Sequence, residues 1–368
     1  METRSGSSSS FWLTPWLHPL VTTGGGGGEG EGGRYDSVVT IGGEQSNHCR
    51  ATAAAARMVG LDPHLILRTK RADEVMAGSR EDLGYTGNVL VDRMVGSTIY
   101  TCTPGEYGRV GSRELVRRVC DQIGAVGETN NRAYPIPVGG SNGLGTWGYI
   151  NAVDELLGQT RGSSGGVEFD HVVFACGSGG TAAGISLGFA LSSGAAGGDG
   201  GETETLASAP SAPAPKVHAI GVCDDPNYFY RTVADIADEM GLSLPPRSSA
   251  SMSTSTEEFV RRHLIAHQGK GLGYASSTKE ELDFVTEFCV ETGIVLDPVY
   301  SGKALYHFVT RILEEEDSYR GSNVLFWHTG GALGMYDKGD TLLETLGRVS
   351  PVKRLDVYGK GGEGTVQI

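Results

Sequence analysis

Short runs of β-branched and apolar residues alternate with amphipathic segments of helical period along most of the chain. The predicted strands cover residues 37–41, 64–67, 97–101, 171–176, 217–222 and 323–328. The predicted helices cover residues 47–59, 87–95, 112–123, 146–157, 181–191, 228–240, 279–292 and 301–314. Repeated alternation of strands and helices is typical of a parallel sheet covered by helices. The pattern therefore predicts a doubly wound α/β architecture, whose ligands bind beyond the carboxyl ends of the strands.

Three segments of low complexity interrupt this pattern. Residues 22–33 are rich in glycine, residues 192–215 are rich in Gly, Ala, Ser and Pro, and residues 245–256 are rich in serine. Segments with so few large apolar side chains cannot offset the entropy of ordering them. We expect residues 1–34 to form a disordered N-terminus and residues 192–215 to form a disordered insertion.

The composition narrows the class of protein. The 368 residues include 44 acidic and 30 basic side chains, with a net charge of −14 and no long Lys/Arg run, so nucleic acid is not an expected partner. No segment has the roughly 18 consecutive apolar residues of a membrane span. The six cysteines form no CxxC pair and have no histidine at zinc-ligand spacing, so we expect neither disulfides nor a metal. Residues 1–21 do not indicate a targeting peptide, which leaves the cytoplasm and an organelle such as the mitochondrion as open locations.

A glycine-rich turn, Cys176-Gly-Ser-Gly-Gly-Thr181, follows the apolar run 171–175 and opens a predicted helix. Glycines let the backbone approach an anion closely, and the helix N-terminus favours negative charge. The turn lacks the Gly-Lys-Ser/Thr of a Walker A loop. It therefore predicts a phosphate site, with an ordinary structural turn as the alternative.

Polar side chains also follow the first predicted strand, in the turn Gly42-Gly-Glu-Gln-Ser-Asn-His-Cys-Arg50. Ser46 is suited to capping the next helix, which is the simplest interpretation of the turn. The polar groups of Gln45, Ser46, Asn47 and His48 exceed what a cap requires. Together they suit a carboxylate and a phenolic oxygen held at a strand end.

Two later segments place hydroxyls near predicted strand or helix ends. Tyr300 precedes a helix in Asp297-Pro-Val-Tyr-Ser-Gly-Lys303, and Thr329 follows the last strand in His328-Thr-Gly-Gly331. Alone, a tyrosine at a helix start indicates packing more often than catalysis, and His328 can be a satisfied interior group.

Seven blocks occur together in a characteristic order. They are GGEQSNHCRATAAAA, PVGGSNGLGTWGYINAVDEL, ACGSGGTAAGISLG, VCDDPNYFY, GKGLGYA, LDPVYSGKALY and LFWHTGGALGMYDK. In this order they resemble the D-cysteine desulfhydrase and 1-aminocyclopropane-1-carboxylate deaminase group of fold-type-II pyridoxal-phosphate enzymes, which have the tryptophan synthase beta-like fold. The resemblance extends over residues 35–338.

The resemblance implies two open parallel-sheet domains with the cofactor cleft between them. The small α/β domain would cover residues 35–137, the large pyridoxal-phosphate-binding domain residues 138–338, and a C-terminal tail residues 339–368. The first strand and helix of the family's large domain have no counterpart in this sequence. The resemblance also implies a small amino-acid substrate and a homodimer.

The resemblance further implies roles for individual residues. The cofactor phosphate would be bound by Gly177, Ser178, Gly179, Gly180 and Thr181. Asn47 would hydrogen-bond the ring hydroxyl, Ser46 would act at the substrate as nucleophile or proton carrier, and Gln45 and His48 would bind the substrate carboxylate. Tyr274 and Tyr300 would be the two active-site tyrosines.

The group that meets the pyridine nitrogen distinguishes the two activities of the family. The deaminases have a Glu directly after the tyrosine that corresponds to Tyr300. This Glu keeps the pyridine nitrogen protonated and helps open a cyclopropane. This chain has Ser301 there, with Thr329 in the later turn. The hydroxyl residues at both positions resemble those of the desulfhydrases. The resemblance therefore favours β-elimination of D-cysteine to pyruvate, ammonia and hydrogen sulfide, with 1-aminocyclopropane-1-carboxylate deaminase activity as the alternative.

One feature of the family is missing. Its members bind the cofactor covalently through a Lys in a Gly-Asn-Lys-x-Arg-Lys block upstream of the QSNH turn, whereas this chain has no Lys before Lys70. Lys70 lies in a charged turn and is expected to be a solvated surface residue. We expect an incomplete gene model, with a catalytically silent relative that binds pyridoxal phosphate or an amino acid as the second hypothesis. A module that binds another phosphate is the third.

Overall fold

The computed structural model describes residues 35–76, 83–125, 132–161, 167–193, 214–242, 255–313, 319–350, 352–353 and 355. These residues form two compact units, which divide between Val138 and Gly139 and are described separately. The predicted disordered N-terminus, 1–34, lies outside the described residues, as does most of the predicted insertion at 192–215.

The first unit contains one four-stranded parallel sheet with the order β3-β2-β1-β4. Its strands are β1 Ser37–Gly43, β2 Asp62–Arg68, β3 Thr98–Cys102 and β4 Ala133–Pro135. Its helices are α1 Asn47–Met58, α2 Ala72–Met76, α3 Gly87–Met94, α4 Pro104–Val110 and α5 Ser112–Ala125. The turn after β1 therefore lies at the carboxyl edge of an inner strand.

Side chains alternate between the two faces of this sheet because successive residues of a strand point in opposite directions. Leu65 and Leu67 of β2 pack with Cys49 and Ala53 of α1 on one face. Ile66 packs on the other face, in a cluster that includes Val116 and Val119 of α5. Both faces are thus covered by helices, as the alternating sequence pattern predicts.

The second unit contains another four-stranded parallel sheet, with the order β7-β6-β5-β8. Its strands are β5 His171–Cys176, β6 Lys216–Gly221, β7 Ile265–Gln268 and β8 Val324–Phe326. Its helices are α6 Gly143–Arg161, α7 Gly180–Ser192, α8 Pro226–Glu239, α9 Thr256–His263, α10 Lys279–Thr292, α11 Ser301–His307 and α12 Gly339–Val349. A π-helical turn, Phe308–Ile312, continues α11.

Helix α7 is the most buried helix of this unit, and ten of its thirteen residues are buried. Two glycines let it approach α6 closely. A Cβ at Gly184 would overlap the Cβ of Tyr149, and a Cβ at Gly188 would lie 3.0 Å from the Cβ of Val153. Close helix contact at small residues fixes the position of α7 and of the turn at its start.

Three histidines form a hydrogen-bonded row across the sheet of the second unit. His171 Nδ1 lies 3.0 Å from His218 Nε2, and His218 Nδ1 lies 3.0 Å from His267 Nε2. They belong to the neighbouring strands β5, β6 and β7. His218, in the middle, is 1% exposed and also packs near Phe308 and Tyr319.

The two parallel sheets confirm the predicted α/β class. Strand β5 and helix α10 have the predicted bounds. The helix predicted over 301–314 is wrong in its second half, because π-type hydrogen bonds replace the α-helical pattern after His307. The predicted strand at 323–328 is shortened to three residues, since β8 pairs with β5 only over Val324–Phe326. Residues 339–349, predicted as part of a tail, form α12.

Candidate functional site

The glycine-rich turn after β5 has the geometry of an anion site. All six residues of β5 are buried, and the chain then turns at Gly179, whose φ of 102° is left-handed and favours glycine. Helix α7 begins at the next residue and directs its positive end toward the turn. A Cβ at Gly177 would lie 3.0 Å from Cε1 of Tyr300, so the backbone there is in close contact with the tyrosine ring. The structure thus brings the predicted loop and Tyr300 together.

A second glycine-rich segment, for which no role was predicted, packs on this turn. Gly139 and Gly140 have φ values of 68° and 63°, and a Cβ at Gly139 would overlap the Ser178 hydroxyl. The Ser141 hydroxyl donates to Ser178 Oγ at 2.8 Å and accepts from the Gly180 N–H at 3.0 Å. Ser141 therefore holds the turn in shape. The glycine pair before α6 was the sequence signal that could have identified this segment.

The two predicted tyrosines are in contact. The hydroxyls of Tyr274 and Tyr300 lie 2.9 Å apart, and the rings meet edge to face with centroids 6.0 Å apart. Burial, and then the neighbouring Tyr274, raise the pKa of Tyr300 well above its ordinary value. The Tyr300 phenol is therefore protonated at neutral pH and shares a hydrogen bond with Tyr274.

Ser301 has a local structural contact that was not predicted from the sequence. Its hydroxyl donates to Asp297 Oδ2 at 2.9 Å and accepts from the Asp297 N–H at 2.9 Å. The Asp297 carboxylate also accepts the N–H groups of Val299, Tyr300 and Ser301. Ser301 is 2% exposed. The hydroxyl expected at the pyridine nitrogen thus stabilises the start of α11, which argues against that role.

Thr329 is exposed and lies just beyond β8. Its neighbour His328 is held by two hydrogen bonds that together define one neutral tautomer. Nε2 donates to the Val295 carbonyl at 3.1 Å, and Nδ1 accepts the Gly330 N–H at 2.9 Å. His328 is therefore satisfied within the fold, and Thr329 is the residue of this turn that remains a candidate for a ligand contact.

Ser46 caps α1 in the first unit, as its simplest interpretation predicts. Its hydroxyl accepts from the Cys49 N–H at 3.2 Å, and the residue is 5% exposed. An oxygen at this position faces the positive end of the helix, which stabilises negative charge on it. The helix cap and the predicted role as nucleophile or proton carrier therefore both require the Ser46 hydroxyl at the start of α1.

Asn88 fixes the polar turn, although no pattern in the sequence identifies it as a site residue. Its backbone N–H donates to Gln45 Oε1 at 2.8 Å. Its side-chain amide donates to the Gln45 carbonyl at 2.9 Å and to Asn47 Oδ1 at 3.0 Å. Asn88 is fully buried. One residue of α3 thus orients both Gln45 and Asn47.

The predicted role of His48 in binding a carboxylate is not supported. The Thr40 hydroxyl donates its proton to the Ile136 carbonyl at 3.1 Å, so His48 Nε2, at 2.8 Å, donates to Thr40. Burial lowers the pKa of His48 to about 4. The ring is therefore neutral at pH 7, and Nδ1 carries a lone pair instead of a proton. A carboxylate requires a donor, so His48 instead anchors α1 to β1.

Each unit thus places its candidate residues at the carboxyl edge of its own sheet. Ser46, Gln45 and Asn47 follow β1, and the glycine turn follows β5. This is where open parallel sheets bind ligands. No helix among the described ranges is long and apolar enough to cross a membrane.

The chain is similar to known pyridoxal-phosphate dependent enzymes. The family model described as pyridoxal-phosphate dependent enzyme matches residues 29–330. A mitochondrial bifunctional D-cysteine desulfhydrase/1-aminocyclopropane-1-carboxylate deaminase of Arabidopsis thaliana is 42% identical over 324 residues, which are 88% of this chain and 69% of the relative. A D-cysteine desulfhydrase of Klebsiella pneumoniae is 29% identical over 302 residues, or 82% of this chain and 78% of the relative.

A solved structure is also similar. The crystal structure of an ACC deaminase homologue is 27% identical, with a TM-score of 0.60, and the match covers 84% of this chain and 78% of that one. Together with the family match and the two parallel sheets, this similarity confirms the fold-type-II prediction. The chain therefore belongs to the family of pyridoxal-phosphate dependent enzymes.

Proposed function

We propose that this chain is a D-cysteine desulfhydrase, which converts D-cysteine and water to pyruvate, ammonia and hydrogen sulfide. The names of the Arabidopsis and Klebsiella relatives support this proposal. The observation that carries it is the absence of an available carboxylate in the described turn 297–301. Residue 301 is a serine, and the Asp297 carboxylate already accepts four hydrogen bonds. A ring nitrogen without an acidic partner favours β-elimination over cyclopropane opening.

The glycine turn has the donor set that the cofactor phosphate requires. A Cβ at Gly177 would lie 3.0 Å from the Tyr300 ring and a Cβ at Gly180 would lie 2.8 Å from the Ser141 hydroxyl, so the close packing of the turn requires glycine at both positions. We propose that residues 177–181 bind the phosphate, that Asn47 binds the ring hydroxyl, and that Thr329 meets the ring nitrogen. When bound, the cofactor supplies an electron sink for the substrate α-carbon.

The chain's own residues would orient the substrate and move protons. Gln45, fixed by Asn88, would donate its amide to the substrate carboxylate. The Ser46 hydroxyl would exchange a proton with the substrate, because the Cys49 N–H and the helix end stabilise negative charge on its oxygen. The Tyr300 phenol, which stays protonated and is hydrogen-bonded to Tyr274, would donate a hydrogen bond to the departing sulfur.

A covalent link to the cofactor, as the family resemblance implies, requires a lysine amine. Lys303 is the buried lysine among the described residues, and its amine is bound to three backbone carbonyls. A catalytically silent relative that binds pyridoxal phosphate or an amino acid is therefore the second candidate function.

The purified chain with added pyridoxal phosphate tests these candidates. Binding that depends on the cofactor phosphate supports the proposed site at residues 177–181. Borohydride reduction followed by peptide mass spectrometry then identifies any lysine that is attached to the cofactor. Equal release of sulfide and pyruvate from D-cysteine, and not from L-cysteine, supports the desulfhydrase. Dominant release of 2-oxobutyrate from 1-aminocyclopropane-1-carboxylate would favour the deaminase instead. Tight binding without turnover would favour the silent relative.

We also propose a homodimer, in line with the family resemblance. Light scattering after size-exclusion chromatography measures the mass directly, with 38.7 kDa expected for one chain. We propose the mitochondrion as its location, because the Arabidopsis relative is named mitochondrial. A fluorescent fusion of the full-length gene product, imaged with a mitochondrial marker, checks this location.

A further inference from the structure

Lys303, in the first turn of α11, is one of the largest fully buried side chains in the described part of the protein. It is 1% exposed. Its amine donates to the carbonyl oxygens of Lys270, Gly273 and Ser276 at 2.9, 3.0 and 2.6 Å. Three acceptors require three N–H protons, which only the ammonium form of lysine has. The buried group is therefore a cation enclosed by backbone oxygens.

These carbonyls are the main partners of the ammonium. The nearest carboxylate oxygen, Glu281 Oε2, is 3.8 Å away. Glu281 also forms the capping box of α10, where its side chain accepts the Thr278 N–H at 2.9 Å. It therefore contributes charge balance at a distance, while the three shorter hydrogen bonds hold the loop.

The loop around the ammonium has an unusual backbone. Gly271 and Gly273 have φ values of 53° and 122°, and Ala275 is the one non-glycine residue with positive φ in the described ranges. A Cβ at Gly271 would lie 2.7 Å from Glu281 Oε1. Carbonyl dipoles that converge on one point repel one another unless a cation lies between them. The loop conformation therefore depends on the charge of Lys303.

The same loop carries Tyr274. Its hydroxyl lies 2.9 Å from that of Tyr300, which is three residues before Lys303 at the start of α11. Lys303 thus ties the Tyr274 loop to the turn that carries Tyr300. We propose that Lys303 is a positioning residue, whose ammonium acts as the built-in cation of a carbonyl cage and keeps Tyr274 on Tyr300. This inference rests on the proposed contact of the Tyr300 phenol, supported by Tyr274, with the departing sulfur.

Two variants test the cage. Lys303→Met keeps the apolar part of the side chain and removes the ammonium group, so the fold remains while the loop loosens. Lys303→Ala also leaves space for an external cation. Lys279→Ala removes an exposed lysine of α10 that pairs with Asp283 and serves as the matched control. Circular dichroism and thermal unfolding establish that each variant is folded.

The first measurement is amide hydrogen exchange of residues 270–276 in the full chain, which does not depend on activity. We expect exchange about tenfold faster in Lys303→Met, the change that the loss of one charge-assisted hydrogen bond produces. Added ammonium chloride should restore protection in Lys303→Ala, whereas tetramethylammonium, which has no N–H, should not. The control should match the wild type.

The second measurement is sulfide release with pyridoxal phosphate and D-cysteine. We expect kcat to fall by about a hundredfold in Lys303→Met, as misplacement of a reacting group by about 1 Å can produce, with KM little changed. Ammonium should restore kcat in Lys303→Ala. If the wild type shows no turnover, the proposed function fails, while the exchange measurement still decides the role of Lys303.

Three outcomes would overturn the inference. One is wild-type exchange of the loop in a folded Lys303→Met chain. Another is loss of loop protection in Lys303→Ala that ammonium does not reverse. The third is a Lys303→Met chain that does not fold, which would show that Lys303 stabilises the whole unit instead of one loop.

Discussion

Acid should destabilise the second unit through His218. Burial first, and then the neighbouring His267, His171 and Lys216, lower the pKa of His218 to about 3 from 6.5. The folded ring is neutral, whereas the ring of the unfolded chain takes up a proton near pH 6.5. Between pH 6.5 and 3 the unfolded state binds more protons, so stability is complete above this window and is lost as the pH falls.

The expected loss can be estimated from this shift. One pKa unit corresponds to about 1.4 kcal/mol, so acidification from pH 6.5 to 5 removes about 2 kcal/mol of unfolding free energy. The limit, reached near pH 3, is about 5 kcal/mol. The limiting loss is a large fraction of the unfolding free energy of a typical domain, which is about 5 to 15 kcal/mol. The effect should therefore be visible in an ordinary denaturation experiment.

Urea unfolding at pH 7.5 and pH 5 measures the loss. His218→Gln keeps a neutral donor and acceptor between His171 and His267, so it should lose about 2 kcal/mol less than the wild type over this interval. His263→Gln is the matched control, because its ring is bonded to the Phe259 carbonyl of its own helix. Equal losses in the wild type and His218→Gln would refute the reasoning.

Three further predictions concern individual polar groups. Burial raises the pKa of Asp92 to about 7, and its carboxylate oxygens have no hydrogen-bond partner. Asp92→Asn should therefore stabilise the first unit by a few kcal/mol at pH 8, where the buried carboxylate is charged, and by less at pH 5, as measured by urea unfolding. Asn88→Ala should raise the KM for D-cysteine about tenfold with a smaller change in kcat, because Gln45 loses its support. Ser141→Ala should weaken pyridoxal-phosphate binding about tenfold in equilibrium dialysis, while Ser193→Ala, at the end of α7, should not.

Elements with strong local signals could be predicted from the sequence. Strand β5 is apolar throughout and buried throughout. Helix α10 has the Thr278–Glu281 capping box at its start and Gly293, in the left-handed conformation, at its end. Strand β7 was missed because its sequence, Ile-Ala-His-Gln, is short and only partly buried at the sheet edge. Strand β4 was missed because it has three residues and includes a proline.

The predicted site residues were found by family resemblance, but their contacts required coordinates. Asn88 lies 41 residues from Asn47, and Lys303 lies 27 to 33 residues from the carbonyls that it binds. No local pattern connects such partners. The same holds for His48, since only the positions of Thr40 and Ile136 show which ring nitrogen carries the proton, and this arrangement does not support the predicted role in binding a carboxylate.

The close packing of α6 against α7 links core composition to ligand affinity. Gly184 and Gly188 set the distance between the two helices, and α7 begins at the glycine turn that we propose binds the cofactor phosphate. Any side chain larger than hydrogen at either position would displace helix α7 away from α6. The backbone amides of the glycine turn would move with the helix. Substitutions one or two helical turns away from the ligand would then mimic direct binding defects, although they touch no bound atom.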